Sequence, residues 1–217
     1  MKKTALLCIL FFLGLKITFA QHSSWQFQIN YGLTATTHLG EPLQKYFCRE
    51  GCPVLEQTPG AGHSVSLGMS KRIGLIHSLY AAVGYSEIRF HEKGLLSSGG
   101  AADIPYDRDV SFGFLNLQVG HILVLEHLGR HEVVLSNSLL AEHTIRESYF
   151  KDYLKTNNFS YLAKLGMVFH SDKALAFTVN ATFRAALSNY NRQHDFKYFD
   201  DYKPYGFGLE AGIRLGL

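Results

Sequence analysis

The chain has 217 residues, 47% of them hydrophobic and 18% charged, with a formal net charge of +3 when histidine is neutral. A length near 200 residues suits one domain, no Pro- or Ser-rich linker divides it, and the small net charge offers no basic patch for nucleic acid. After residue 20, no apolar run reaches the ~18 residues that a membrane-spanning helix needs.

The N-terminus has the layout of a secretory signal peptide. Lys2 and Lys3 precede an apolar run over residues 5–15, and Thr18 and Ala20 are the small residues of a cleavage site. We predict a signal peptide over 1–20 and one barrel domain over 21–217. The predicted signal carries three of the 21 basic residues and none of the 18 acidic ones, so the remaining chain is balanced in charge.

Eight segments of strand length then alternate between apolar and polar residues, which places the two kinds of side chain on opposite faces of a strand. In chain order they are Trp25–Thr37, His63–Ile73, Ser78–His91, Val110–Leu123, His131–His143, Phe159–His170, Ala174–Ala186 and Tyr205–Leu217. Each is long enough for a tilted strand to cross a bilayer, which takes ~9 to 11 residues.

Three of the segments contain irregularities. The third loses its phase near Ser86, as a bulge or the emergence of the strand from a membrane would cause. Phe112 and Phe114 interrupt the alternation of the fourth, and Asn137 falls on the apolar face of the fifth.

The connections between segments alternate in length. Long ones follow the odd-numbered segments, over Thr37–Gly62, Glu92–Asp109, Thr144–Asn158 and Leu187–Lys203, and short ones follow the second, fourth and sixth, over Gly74–His77, Val124–Arg130 and Ser171–Lys173. This plan predicts an all-β fold, an eight-stranded antiparallel up-and-down transmembrane β-barrel with periplasmic termini and four long extracellular loops.

A secreted soluble lipocalin-like binding barrel is the alternative, because it also has eight alternating strands. Its outer face would be dense in Lys and Glu, whereas the polar face here is mostly Gly, Ser, Thr, Asn and Gln. The apolar face also carries aromatic residues toward the segment ends, as membrane-interface belts do. These are Trp25, Phe27, Tyr85, Phe159, Tyr161, Phe169, Phe183 and Tyr205.

The last segment contains Glu210, Gly212, Leu215 and Leu217 at the spacing of a barrel-assembly signal. With it, residues 21–217 resemble the OmpA/OmpX-like superfamily of small eight-stranded outer-membrane β-barrels, although that family more often ends in Phe. The resemblance implies the outer membrane of a Gram-negative bacterium as location. It also implies membrane lipid and the barrel-assembly machinery as partners.

Charged residues on the inferred inner face are expected to form a paired network, because an eight-stranded barrel is just wide enough for its side chains to fill. Arg184 is a candidate partner for Glu210. A porin-like gated channel is the functional alternative. The network comprises Arg72, Glu132, Glu142, Lys164, Arg184, Glu210 and Arg214.

Cys48 and Cys52 lie in the first long connection, and in an oxidising compartment they are expected to form a disulfide. A zinc site would need two more ligands, and His38 and His63 have no recognisable ligand spacing. We predict no metal, no cofactor and no catalytic residue.

The 11 histidines raise an enzymatic alternative, because some outer-membrane barrels are lipid A deacylases with a His and a Ser two residues apart on one strand. The pairs His63-Ser64, His77-Ser78 and His170-Ser171 are adjacent instead, so their side chains point to opposite faces.

Aromatic residues interleave with charges in the fourth long connection, which suits either a recognition surface or a loop folded onto its neighbours. The predicted recognition residues are Tyr190, Phe196, Tyr198, Phe199 and Tyr202. The sequence therefore favours a non-enzymatic outer-membrane barrel with a side-chain-plugged lumen and loops that contact an extracellular ligand.

Overall fold

A computed structural model of the protein describes residues 25–39, 56–96, 104–147, 155–171, 174–190 and 203–216. All regular elements in these ranges are strands. They are β1 (Trp25–Leu39), β2 (Glu56–Pro59), β3 (Ala61–Arg72), β4 (His77–Leu96), β5 (Ile104–Leu128), β6 (His131–Glu147), β7 (Asn157–His170), β8 (Leu175–Ala186) and β9 (Lys203–Gly216). Within the described ranges, no helix has the length and apolar character to span a bilayer.

Eight of the strands form a closed antiparallel ring. From β3 to β9 each strand pairs with the next in sequence, and β1 pairs with both β3 and β9, which closes the sheet on itself. The short strand β2 pairs with β4 beyond the end of β3. Between β2 and β3, Gly60 N donates to Arg89 O of β4 at 2.9 Å, so the two strands follow one another along the same edge of β4. The predicted eight-stranded antiparallel barrel is therefore confirmed.

Even-numbered residues point into the barrel and odd-numbered residues point outward, apart from the stretches beyond the two register shifts, at the C-terminal ends of β5 and β6. On β1, for example, Asn30 is 3% exposed while its neighbour Ile29 is 45% exposed. The outer surface between the strand ends consists of large apolar side chains such as Leu67, Leu117 and Leu209. A surface of this kind is stable against lipid and unstable against water, so the predicted transmembrane orientation of the faces is the one the fold adopts.

Aromatic side chains lie at both edges of this apolar surface. Toward the long connections they include Tyr161 on β7, and toward the short turns Phe169 on the same strand. These two residues are eight apart, about 27 Å along the strand and about 20 Å along the axis of a barrel with the usual tilt. At the short-turn edge, Lys71 Nζ lies 5.3 Å from the centre of the Trp25 ring. The spacing fits the apolar thickness that outer-membrane barrels present.

The strands extend further than predicted toward the long connections. The pairing of β4 with β5 runs without a register shift from His77 opposite Leu123 to Leu96 opposite Ile104. The pairing of β3 with β4 ends at Ser64 opposite Ser86, and beyond it β2 pairs with β4 one residue out of that register, with Pro59 opposite Phe90. The irregularity predicted near Ser86 therefore lies on the β3 side of β4, and most of the predicted loop Glu92–Asp109 is a hairpin. Further register shifts lie between β5 and β6, at 113/114 and 124/126. The predicted turn Val124–Arg130 shrinks to two residues, in which Gly129 has φ 65°.

Two apolar clusters occupy the interior, with a polar layer between them. The cluster toward the long connections consists of Ile88, Phe90, Val110, Phe112, Phe114 and Tyr190. The cluster toward the short turns consists of Tyr80, Ala82, Ile122, Val124, Val134, Val168 and Ala176. Phe112 and Phe114 thus keep the strand's alternation and point inward, and the apparent loss of phase reflects an interior that becomes apolar.

The outer surface generates a test with a matched control. Leu117→Arg puts a cation in the middle of the apolar surface, and we expect it to lower the free energy of unfolding in lipid vesicles by about 2–4 kcal/mol. Leu75→Arg makes the same change in an exposed turn, where the expected cost is about 0–1 kcal/mol. Urea titration of both variants measures the difference, and equal costs would contradict the assignment of Leu117 to the lipid-facing surface.

Candidate functional site: the charged lumen

The seven charged residues predicted for the inner face all lie at inward-pointing positions, and they divide into three groups along the barrel axis. The upper group, nearest the long connections, contains Glu142 and Arg184. The central group contains Lys164 and Glu210, and the lower group, nearest the short turns, contains Arg72, Glu132 and Arg214.

Glu142 organises the upper group. Its side chain is fully buried and forms an ion pair with Arg184. Ser160 Oγ donates to its Oε2 at 2.7 Å, and the Tyr190 hydroxyl donates to the same oxygen. The guanidinium of Arg184 also lies 5.5 Å from the centre of the Phe114 ring, where a cation is attracted to the π face. Arg184 therefore pairs with Glu142, and the expected pairing of Arg184 with Glu210 is wrong.

Glu210 has its partner on β7 instead. Lys164 Nζ donates to both carboxylate oxygens of Glu210 at 2.8 Å, and Asn180 Nδ2 donates to one of them at 3.3 Å. Lys164 is 5% exposed and Glu210 8% exposed. Asn180 lies on β8 directly opposite Glu210 in the register, so it bonds Glu210 from the adjacent strand. Lys164, on β7, reaches Glu210 across β8. Two buried charges held this closely satisfy each other in place of water.

Glu132 is the carboxylate of the lower group. Arg72 Nη2 donates to its Oε1 at 3.2 Å, and the rings of His127 and His170 lie 3.8 Å and 3.6 Å from its oxygens. His127 reaches the interior because the register shift after Val124 sets it opposite Glu132. This group lies at the end of the barrel, where Arg72 is 38% exposed.

A cavity of about 60 Å³ separates the upper and central groups. Hydroxyl and amide side chains line it together with the charged residues of those groups. The polar lining includes Ser66, Ser86, Asn116, Lys164, Arg184 and Glu210. A space of this size and polarity can hold a few water molecules.

The outward-facing histidines contact partners other than serine in the described ranges. His63 Nδ1 lies 2.7 Å from the Tyr31 hydroxyl, His77 bonds His121 at 2.9 Å, and His143 bonds the amide of Asn157 at 2.9 Å. Within the same ranges, no group of three or more His, Cys, Asp or Glu residues could hold a metal ion.

Tyr190 is a correction to the predicted recognition residues. It is completely buried and packs edge-on against Phe114, at 5.8 Å between ring centres, with its hydroxyl in the upper charged group. It therefore belongs to the interior. The other four, Phe196, Tyr198, Phe199 and Tyr202, lie outside the described residues, as do Cys48, Cys52, Leu217 and the predicted signal peptide.

Sequence reasoning missed Ser160 and the pair formed by Glu87 and Arg89. Ser160 occupies an even position of β7, so the alternation itself would have placed it inside. Arg89 Nη2 lies 2.9 Å from Glu87 Oε2 on β4, beyond the aromatic edge of the apolar surface. The hydrogen bond and the charge of Glu87 raise the pKa of Arg89, so Arg89 stays protonated over the physiological range.

Two solved structures share this architecture. Neisserial surface protein A (NspA) superposes with a TM-score of 0.55 at 12% identity, over 90% of this chain and 98% of that one. The outer membrane protein OprG from Pseudomonas aeruginosa gives 0.52 at 9% identity, over 90% and 97%. Comparison of the sequence with models of known protein families and with curated proteins gave no match. The chain has the fold of the small outer-membrane β-barrels.

The central ion pair generates a double-variant test. Lys164→Met leaves Glu210 buried with only an amide partner, and we expect it to lower the free energy of unfolding by about 3–5 kcal/mol. Lys164→Met combined with Glu210→Leu removes both charges, and most of that loss should be recovered. Urea unfolding of the single and double variants in lipid vesicles measures the coupling; additive losses would contradict a direct buried pair.

Proposed function

We propose that this chain is a non-enzymatic protein of a Gram-negative outer membrane, with a closed lumen and with its long connections on the outer side. The fold it shares with an outer-membrane protein and a surface protein supports this location. So does the apolar outer surface with an aromatic edge at each end, which matches a bilayer. In this orientation the short turns, the start of β1 and the end of β9 lie in the periplasm.

The filled interior is the observation that carries the closed lumen. A path along the axis would have to cross the cluster around Phe112, three charged groups and the cluster around Val168, whose side chain is 0% exposed. An eight-stranded barrel leaves little room beyond its own side chains. We therefore infer a structural or surface-contact role and no steady passage of solutes.

The hairpin formed by β4 and β5 supports a surface role for the outer end. It continues to Leu96 and Ile104, well past the aromatic edge near Tyr85. Its outward face carries charges, with His91 Nδ1 2.9 Å from Asp109 and His91 Nε2 2.9 Å from Asp107. A rigid, charged projection of this kind is suited to contact with a partner outside the cell. The aromatic residues Phe196, Tyr198, Phe199 and Tyr202 are proposed to contribute to the same surface.

Three further features belong to this proposal. Residues 1–20 direct export, and Cys48 pairs with Cys52 in the oxidising periplasm. Glu210, Gly212, Leu215 and Leu217 present the last strand to the assembly machinery. Leu215, which lies opposite Phe27 on β1 and Leu175 on β8, is at the seam where the barrel closes.

Location and lumen closure can be tested together. The protein should be recovered in the outer-membrane fraction and should migrate faster on SDS gels when unboiled, because a closed barrel resists detergent. Vesicles reconstituted with it should swell in isosmotic arabinose no faster than protein-free vesicles. A swelling rate that rises with the ratio of protein to lipid would overturn the closed lumen, and recovery as a soluble protein would overturn the location.

The proposed surface contact can be tested with a separate variant. Replacing Phe196, Tyr198, Phe199 and Tyr202 by Ser should leave the heat-modifiable migration intact and reduce adhesion of displaying cells to matrix-coated plates severalfold. Tyr190→Phe is the matched control, since Tyr190 is buried; it should lower barrel stability by about 1–3 kcal/mol and leave adhesion unchanged. Adhesion unaffected by the fourfold variant would contradict the role of these aromatics.

A further inference from the structure

Two polar side chains face outward between the aromatic edges of the barrel. His121 on β5 lies directly opposite Asn137 on β6 in the register. On β7, Asn137 is opposite Ala163, which lies two residues from Tyr161 at one edge and six residues from Phe169 at the other. Apart from tyrosines, the other described residues that face outward between the two edges are apolar. Lipid rather than water therefore surrounds this pair.

Two hydrogen bonds extend the pair across four neighbouring strands. His77, on β4 at the short-turn edge, bonds Nε2 of His121 through Nδ1 at 2.9 Å. The Tyr161 hydroxyl donates to Oδ1 of Asn137. Tyr161 is opposite Leu139, and Asn137 lies two residues from Leu139 toward the short turns, so the Tyr161 ring extends into the apolar surface. His77, His121, Asn137 and Tyr161 thus form a polar band that crosses this surface from one edge to the other.

The polar band is not satisfied by its own hydrogen bonds. In the described part of the chain, Asn137 has a partner for its amide oxygen, but its two N–H groups have no acceptor. His121 uses Nε2 for the bond to His77, so its Nδ1 is also left over. Lipid chains offer no hydrogen-bonding group in exchange, and an unpaired polar group is strongly unfavourable there. Polar side chains within a membrane normally face a partner for this reason.

Symmetry favours a second copy of this chain as the partner. All copies are inserted in the same orientation, so the two-fold axis of a dimer runs along the membrane normal, and each depth of one surface meets the same depth of the other. At that axis Asn137 meets its own equivalent. A carboxamide both donates and accepts, as a neutral imidazole also does, so each can satisfy a second copy of itself. The small side chain of Ala163 beside Asn137 allows two barrels to approach closely.

We propose that this chain forms a dimer in the membrane through the polar band, with the two-fold axis at Asn137. The amides of the two copies bond each other across the axis. Leu139 and Leu165, which are 60% and 53% exposed in the single chain, pack around them. Two apolar surfaces gain little by leaving lipid for each other, so the hydrogen bonds and the close packing drive the association. The dimer requires the membrane location and is independent of the lumen and the loops.

The first experiment measures the dimer by sedimentation equilibrium of the folded mature protein in density-matched detergent micelles. Asn137→Leu should raise the dissociation constant about tenfold, because it removes the amide pair. Asn137→Gln keeps a donor and an acceptor and should retain most of the affinity. Tyr31→Leu is the matched control; it removes a lipid-facing hydroxyl from β1, four strands from β6 around the ring, and should leave the constant unchanged. Unboiled SDS gels verify that each variant is folded. A protein that is monomeric at every ratio of protein to detergent, or a dimer that Asn137→Leu does not weaken, overturns the proposal.

The second experiment identifies the partner by cross-linking in outer membranes. Leu139→Cys, combined with Cys48→Ser and Cys52→Ser, places a single thiol beside Asn137. A short bismaleimide should give a product of twice the mass of the chain, and adding Asn137→Leu should reduce its yield severalfold. Ile29→Cys on β1, in the same background, is the control and should give no such product. A product of another mass would reveal a different protein on this face, and it would overturn the dimer, as would a thiol at position 139 that forms no cross-link.

Discussion

The hydrogen bonding between β1 and β9 is the constraint on which the rest of the structure depends. A sheet edge in lipid leaves N–H and C=O groups without partners, at a cost of several kcal/mol each, so a membrane sheet has to close. The closing strands, Trp25–Leu39 and Lys203–Gly216, lie at opposite ends of the described sequence. Their pairing also sets the faces. A slip of β9 by one residue would turn Glu210 and Arg214 toward lipid, and the alternation of side chains therefore fixes a single register.

The inner wall has to solve a different problem from the outer one. The outer wall is stabilised by lipid between its two aromatic edges, whereas the interior is stabilised only by its own contacts. Removing Lys164 and Glu210 from water costs free energy, and their mutual attraction compensates that cost. The pair also favours the arrangement in which β7 and β9 present these two side chains to each other. Burial of both side chains lowers the local dielectric and strengthens the attraction between the paired charges.

The sequence was sufficient for the number of strands, their faces and the alternation of long and short connections, because a period of two is a local property. Which charges would meet was not predictable. Arg184 on β8 reaches Glu142 on β6, across β7, rather than Glu210 on the adjacent strand β9, and that choice depends on the stagger of the ring, which no local pattern encodes. Phe112 and Phe114 were misread for another reason. Where the strands extend past the membrane, the interior becomes a hydrophobic core like that of a soluble protein, and the rule of polar inside and apolar outside no longer holds.

The last strand shows how these constraints combine in one segment. On its inner face, β9 alternates glycines with Glu210 and Arg214, and the glycines make room for side chains of both neighbours. A Cβ at Gly208 would lie 2.9 Å from the hydroxyls of Thr182 on β8 and Thr34 on β1. The strand that closes the barrel therefore makes room for side chains of both neighbouring strands and carries two of the buried charged residues. Because β9 pairs with β1 and β8 at once, its inward-facing side chains take their places only when both neighbours are in register. Closure of the barrel is thus coupled to the formation of its charged interior, as expected for a fold dominated by contacts between distant parts of the chain.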